Sequence, residues 1–227
     1  FETKDGGMSW VLAFPGSSHK ERRCKFVGFA PDNPQRVFVA TDQGVRISSN
    51  RGQTFATLKG TQLSTAPTRW IQWAPSDPNV VYAGTTIGAF RSDDAGITWR
   101  WIYYETLPTQ NYVNSFAIDP KNPDRVVIAT GDGLFRTADG GDKWVRSGGL
   151  LFTGVWIVQL APNPLDGDNI VAVTGRNVWE SIDGGETWTA LYLNDAEWTF
   201  RYATFDPNED HTLWMVSSNE LLRLSKN

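Results

Sequence analysis

Apolar residues come in short runs along this chain, and clusters of Pro, Asp, Asn and Gly break them up. Val37-Phe38-Val39-Ala40 follows the turn Pro31-Asp32-Asn33-Pro34. Val80-Val81-Tyr82-Ala83 follows Pro75-Ser76-Asp77-Pro78, and Val126-Val127-Ile128-Ala129 follows Pro120-Lys121-Asn122-Pro123. Runs of four to eight residues with this punctuation predict β-strands, and no window holds a sustained helical period. The unit reads as four strands. An apolar strand ends at the Pro/Asp turn, and a Val-rich strand ends at Thr or Gly. A short strand such as Gly88-Ala89-Phe90-Arg91 follows, then a glycine-rich octet, then a fourth strand that starts at an aromatic residue.

The octet repeats. It reads TKDGGMSW at Thr3 to Trp10, SSNRGQTF at Ser48 to Phe55, SDDAGITW at Ser92 to Trp99, TADGGDKW at Thr137 to Trp144 and SIDGGETW at Ser181 to Trp188. Its acidic position falls at Asp5, Asn50, Asp94, Asp139 and Asp183, with spacings of 45, 44, 45 and 44 residues. Four strands in a unit of this size predict a propeller blade. The expected fold is therefore all-β: one five-bladed β-propeller domain of four-stranded antiparallel blades over residues 1–227. Ser225 lies 44 residues past Ser181, so the C-terminus supplies three strands of a blade. Met8 to Phe14 is expected to pair with them as the fourth and close the ring, removing two open edges. A piece of a longer propeller, a ring closed by a second chain and an excised or engineered scaffold remain alternatives.

The octets resemble the Asp-box, or BNR repeat, Ser-x-Asp-x-Gly-x-Thr-Trp. Ser92 to Trp99 and Ser181 to Trp188 fit every defined position. The resemblance spans essentially the whole chain. It points to a repeat found in sialidases, xyloglucanases, sortilin-type receptors and photosystem II assembly factors, so it implies a fold without fixing a function. It also implies that the boxes lie away from any active site. The residues alone give the same role. A short carboxylate or amide at Asp5, Asn50, Asp94, Asp139 or Asp183 accepts hydrogen bonds from its own turn. Trp10, Phe55, Trp99, Trp144 and Trp188 anchor the hairpin between sheets. Calcium is the rival reading, but no box supplies the ligands of an EF-hand loop.

Composition narrows the function. A net charge of −4 with 20% charged residues leaves no basic excess, which argues against a nucleic-acid partner. No apolar run is long enough to predict a membrane span. The single cysteine, Cys24, excludes an intrachain disulfide. With only His19 and His211, Cys/His metal sites and a Ser–His–Asp triad are poorly served, and no cofactor or metal is expected. The chain starts at Phe1, compatible with a removed leader. The compartment is open, and only the family resemblance leans it towards secretion or the periplasm.

Candidate chemistry is sought on the face opposite the boxes. The repeats differ most between the fourth strand and the next blade: Phe14 to Arg23, Lys59 to Thr68, Tyr104 to Tyr112, Gly148 to Gly154 and Leu193 to Thr199. Variable loops on a repeated scaffold commonly carry binding. Aligned first strands place Lys25, Arg69, Asn114, Trp156 and Arg201 in one equivalent position near the channel mouth, with Val27, Val158, Phe29 and Leu160 continuing into the core. Tyr104, Tyr112 and Trp198 join them. The cluster suits a glycan or an acidic peptide, although a solvated rim with aromatics packed between blades would read the same. The arginine motif of sialidases has no room before the first box. Another glycosidase needs two acids about 5–10 Å apart, and only Glu105, Asp195 and Glu197 are weak catalytic candidates. The expected function is a monomeric, non-catalytic binding or assembly module for a protein or glycan ligand. The alternative is a carbohydrate-active protein, either a glycan binder or a diverged glycoside hydrolase.

Overall fold

The computed structural model of the protein describes residues 3–12, 23–58, 60–104, 111–193, 199–209 and 212–225. It is all-β. The first sheet holds β1 (Cys24–Phe29), β2 (Val37–Thr41), β3 (Gly44–Ser48) and β4 (Ala56–Thr57). The second holds β5 (Thr68–Ala74), β6 (Asp77–Thr85), β7 (Gly88–Ser92) and β8 (Arg100–Tyr103). The third holds β9 (Val113–Ile118), β10 (Val126–Thr130), β11 (Gly133–Thr137) and β12 (Val145–Arg146). The fourth holds β13 (Gln159–Pro162), β14 (Ile170–Val173), β15 (Asn177–Ser181) and β16 (Thr189–Leu193). The fifth holds β17 (Phe200–Phe205), β18 (Thr212–Ser217) and β19 (Leu221–Ser225). Each sheet is an antiparallel meander in chain order.

The second strands are the most buried. β2, β6, β10 and β14 are the buried apolar strands, and β6, β10 and β14 each have a neighbouring sheet against both faces. Four clusters fill the spaces between successive sheets. Phe38 of the first sheet stacks on Trp73 of the second at 4.6 Å. Tyr82 of the second meets Phe116 of the third at 5.9 Å. Phe152 meets Trp188 edge-on, and Phe205 and Met215 close the last interval. The backbone approaches so closely at Gly28 that its Cα faces Ile71 O and the Trp73 ring, leaving no room for a side chain without displacement.

In the first four sheets the octet forms the turn between the third and fourth strands. Ser92 Oγ donates to Asp94 Oδ1 (2.8 Å) and accepts from the Gly96 N–H (2.8 Å). Asp94 in turn accepts from the Thr98 N–H (2.7 Å) and hydroxyl (2.6 Å). Ser181, Asp183, Gly185 and Thr187 repeat this bonding, and Thr3, Asp5, Gly7 and Ser9 do the same. Asn50 substitutes an amide without changing the turn. Positive φ at Gly96 (+89°) and Gly185 (+85°) bends the chain back.

The box aromatics then tie sheets together. Trp144 Nε1 donates to Ile102 O of the preceding sheet (2.7 Å), and Trp188 Nε1 to Ser147 Oγ (2.8 Å). Arginines reinforce the seams. Arg36 donates to Ala95 O of the second sheet (2.5 Å), and Arg91 binds Asp124 of the third (2.6 Å) and Asp93 of its own (2.6 Å). Arg125 pairs with Asp168 of the fourth.

One expectation needs correction. Trp10 does not anchor its hairpin between sheets: it is 59% exposed, against 8% for Trp188. Its fold-back is limited to a bond from Nε1 to Gly7 O (3.1 Å). Among the described residues no strand pairs with β19 as the fourth, and Val11 makes only an isolated bridge.

Two predictions follow from the turns. Trp188→Ala should cost about 3–5 kcal/mol through lost burial and cavity formation, read by urea unfolding; a cost below about 1 kcal/mol would contradict its placement. Burial raises the carboxyls of Asp94 and Asp183, but hydrogen bonds led by Thr98 and Thr187 outweigh it and hold both below the usual range. The Lys143 N–H lowers Asp139, and the Ser9 hydroxyl brings Asp5 to about 2. Carboxyls depressed on folding add stability above their unfolded value, and it is lost as pH falls through the folded value. The melting temperature should therefore fall from about pH 4 downwards. The Asp94→Asn/Asp139→Asn/Asp183→Asn variant should show a shallower fall.

Candidate functional site

The polar cluster foreseen at the first strands is built largely by β-bulges. In β1 the pairing steps from Cys24↔Thr41 to Phe26↔Ala40, so Lys25 is the extra residue. The same slip isolates Arg69 in β5, Asn114 in β9 and Arg201 in β17. A bulge leaves one residue out of the ladder and re-aims its side chain. The fourth sheet lacks this slip. β13 starts at Gln159, and pairing of Gln159 with Val173 puts Val158, not Trp156, in the equivalent place. Trp156 lies two residues earlier in the connecting loop and is 56% exposed. The insertion in the loop from Ser147 to Val158 hides this shift from sequence alignment.

Arg69, Tyr112 and Trp156 come together. The Arg69 guanidinium lies 4.9 Å from the centroid of the Tyr112 ring, and Tyr112 meets Trp156 at 5.3 Å. Arg69 Nε is buried and has no hydrogen-bond partner among the described residues. Beside this row, Asp42 in the β2–β3 turn faces Lys25 (3.5 Å) and Arg23 (3.7 Å). Burial pushes the Tyr112 phenol up, Arg69 opposes this, and Asp42 adds to it. Asn114 spends its amide on Ile157 O (2.6 Å), which fastens the loop carrying Trp156. Arg201 is exposed. Tyr104 makes its ring contact with Trp101 (5.2 Å) rather than with Tyr112. Glu105, Asp195, Glu197 and Trp198 lie outside the described residues, as do His19 and His211.

Asp42 was not among the expected site residues, because its place beside the row comes from Lys25 and Arg23, which lie elsewhere in the chain. Sequence reasoning also assigned Val27 and Phe29 to the core, yet they are 47% and 62% exposed. Gly28 faces β5, so its two neighbours point the other way. They border a cavity of about 630 Å³ lined by residues of all five first strands, including Trp70, Phe116, Gln159 and Tyr202. Among the described residues, no three His, Cys, Asp or Glu side chains are grouped to hold a metal ion, and no helix is long and apolar enough to cross a membrane.

No protein-family profile matches the chain, and no curated protein matches it in sequence. Solved structures do match its fold. An ancestral GH74 enzyme aligns with a TM-score of 0.71 and 21% identity, over 86% of this chain and 29% of that one. The GH74 xyloglucanase from Xanthomonas campestris aligns at 0.70 and 15%, over 88% and 36%. YCF48 bound to D1 peptide aligns at 0.63 and 15%, over 88% and 64%. This chain thus spans about a third of the GH74 structures and under two thirds of the YCF48 structure. Five antiparallel sheets together with these neighbours define an all-β protein of propeller type. Within that fold, the similar structures include both carbohydrate-active enzymes and a peptide-bound protein.

A test of the site's geometry needs no ligand. A buried guanidinium nitrogen without an acceptor is a cost to folding. Arg69→Met, which keeps the length of the stem over Tyr112, should leave the melting temperature unchanged or raise it. A loss of more than about 1 kcal/mol would show that Arg69 is bonded in the folded protein.

Proposed function

We propose that the protein is a non-catalytic binding module that captures a carboxylate-bearing peptide at the bulge face. The observation that carries this reading is Arg69. Its guanidinium is set over Tyr112, and its Nε has no partner among the described residues. Arg pairs with a carboxylate through two parallel N–H bonds, and Arg69 as a whole is only half-buried, so a ligand carboxylate would approach the accessible part of its guanidinium. Tyr112 and Trp156 add an apolar floor for neighbouring side chains. Arg201 and the Lys25–Asp42 pair provide charge on either side, with the pair fixing orientation more than affinity. The bound peptide of the YCF48 structure supports peptide capture on this kind of fold. The reading takes the five sheets as blades of an Asp-box ring in one domain, acting as a monomer.

A glycan is the second reading. The exposed Trp156 ring beside Tyr112 is the kind of surface on which a sugar ring stacks, and GH74 enzymes stand among the similar structures. Hydrolysis would rest on Glu105, Asp195 and Glu197, which the sequence nominates.

The two readings separate in one titration series. Acidic peptides with free and with amidated C-termini, and xyloglucan oligosaccharides, are titrated calorimetrically into the protein and into Arg69→Met and Trp156→Ala. Peptide capture predicts binding that Arg69→Met weakens at least about tenfold, roughly one charge-assisted hydrogen bond. Oligosaccharide binding lost in Trp156→Ala and kept in Arg69→Met would replace this reading with the glycan one.

A further inference from the structure

Among the described residues, four sheets carry four strands and the fifth carries three. β19 is an edge: Leu221, Arg223 and Ser225 are exposed, and Leu222 and Leu224 are only half-buried. In the other sheets the strand after a box fills this position. Residues 3–12 are a box without a sheet. Their turn is bonded like the others, yet Met8, Trp10, Val11 and Leu12 are 90, 59, 57 and 58% exposed.

The fourth sheet shows a matching gap. Arg36 and Arg125 hold the same turn position. Each donates its N–H to the residue three before it, Asn33 O and Asn122 O, and its carbonyl accepts from Ala30 and Asp119. Arg36 reaches the next sheet's box at Ala95 O, and Arg125 sits so close to Gly184 of the next box that a Cβ there would overlap it. Asn169 takes this position in the fourth sheet, with its N–H on Asp166 O and its carbonyl on the Asn163 N–H. It is 6% exposed, and its Oδ1 finds no donor among the described residues. Among the described residues, no box turn bonds to it.

We propose that residues 3–12 dock on β19 of the same molecule as the box and fourth strand of the fifth sheet. The connection permits it. Eleven residues, 13–23, separate Leu12 from β1, and existing connections from a fourth strand to the next first strand run from six residues to twelve. The other four sheets set the register. The residue after each box aromatic pairs with the fourth residue of the third strand: Ala56 with Ile47, Arg100 with Arg91, Val145 with Arg136, Thr189 with Glu180. The following residue pairs one step back, as Thr57 with Arg46 and Ala190 with Trp179. In the β18–β19 hairpin Val216 faces Leu221, so Glu220 takes the place of Gly44. Val11 therefore falls opposite Arg223, and Leu12 opposite Leu222. Trp10 then lies against Leu191, the third residue after Trp188. Trp144 and Trp188 stand in the same relation to Ile102 and Ser147.

Cysteine pairs in a Cys24→Ser background test the register. Val11→Cys/Arg223→Cys and Leu12→Cys/Leu222→Cys are in register. Hydrogen-bonded and non-hydrogen-bonded pairs alternate along an antiparallel ladder, so one of the two is the closer pair. Val11→Cys/Leu222→Cys is the offset control on opposite faces. Mild oxidation should link at least one in-register pair within the monomer and leave the control at about a tenth of that yield or less. Links between molecules would assign the hairpin to a second copy and overturn the proposal. So would no link in either pair of a folded protein. Amide exchange on the unsubstituted chain is independent of the cysteines. Leu221 to Ser225 should exchange at least about tenfold faster once residues 1–12 are removed, and equal rates would overturn the docking.

Discussion

The structure depends on one local interaction, the closure of each box turn by a hydroxyl and a carboxylate. Ser92 and Asp94 between them satisfy three backbone N–H groups and hold a glycine at positive φ. This rigid turn fixes where the aromatic residue leaves it. Trp144 and Trp188 can then reach a polar atom of the preceding sheet, so a bond made within eight residues becomes a contact between sheets. Arg36, Arg91 and Arg125 join the same seam from the other side. β10 and β14 stay apolar on both faces because a neighbouring sheet covers each side.

The opposite face is built differently. There the repeated element is a bulge, and the residue released by the bulge varies from sheet to sheet: Lys25, Arg69, Asn114, Arg201. The ladder on either side of a bulge carries the fold, so the released residue is free of a packing role. Asn114 uses that freedom to pin the loop of the next sheet. Arg69 does not, and its guanidinium rests on an aromatic row. Rigidity on the box face and variation on the bulge face divide the molecule into a scaffold and a surface.

Much of the fold was legible because its signals are local. The octets, their spacing of 44 or 45 residues and the strands between them follow from turn chemistry and short apolar runs. The candidate site was legible in part. Lys25, Arg69, Asn114 and Arg201 share a place in sequence and share it in space. Trp156 does not, because the longer loop before β13 moves the alignment by two residues. Asp42 was invisible because its role depends on Lys25 and Arg23 from another segment of the chain.

The sequence by itself determined the strands, the turns and the repeat, since each rests on contacts within a few residues. It could not decide which aromatics are buried. Trp10 and Trp188 end octets of the same type, yet one is exposed and the other covered, because cover comes from a preceding sheet that only one of them meets. It could not decide the fate of Val27 and Phe29 either. Alternation told that they share a face, but only the position of β5 told which face is covered. The tertiary structure decided what depends on a partner distant in sequence: the seams between sheets and the aromatic row under Arg69.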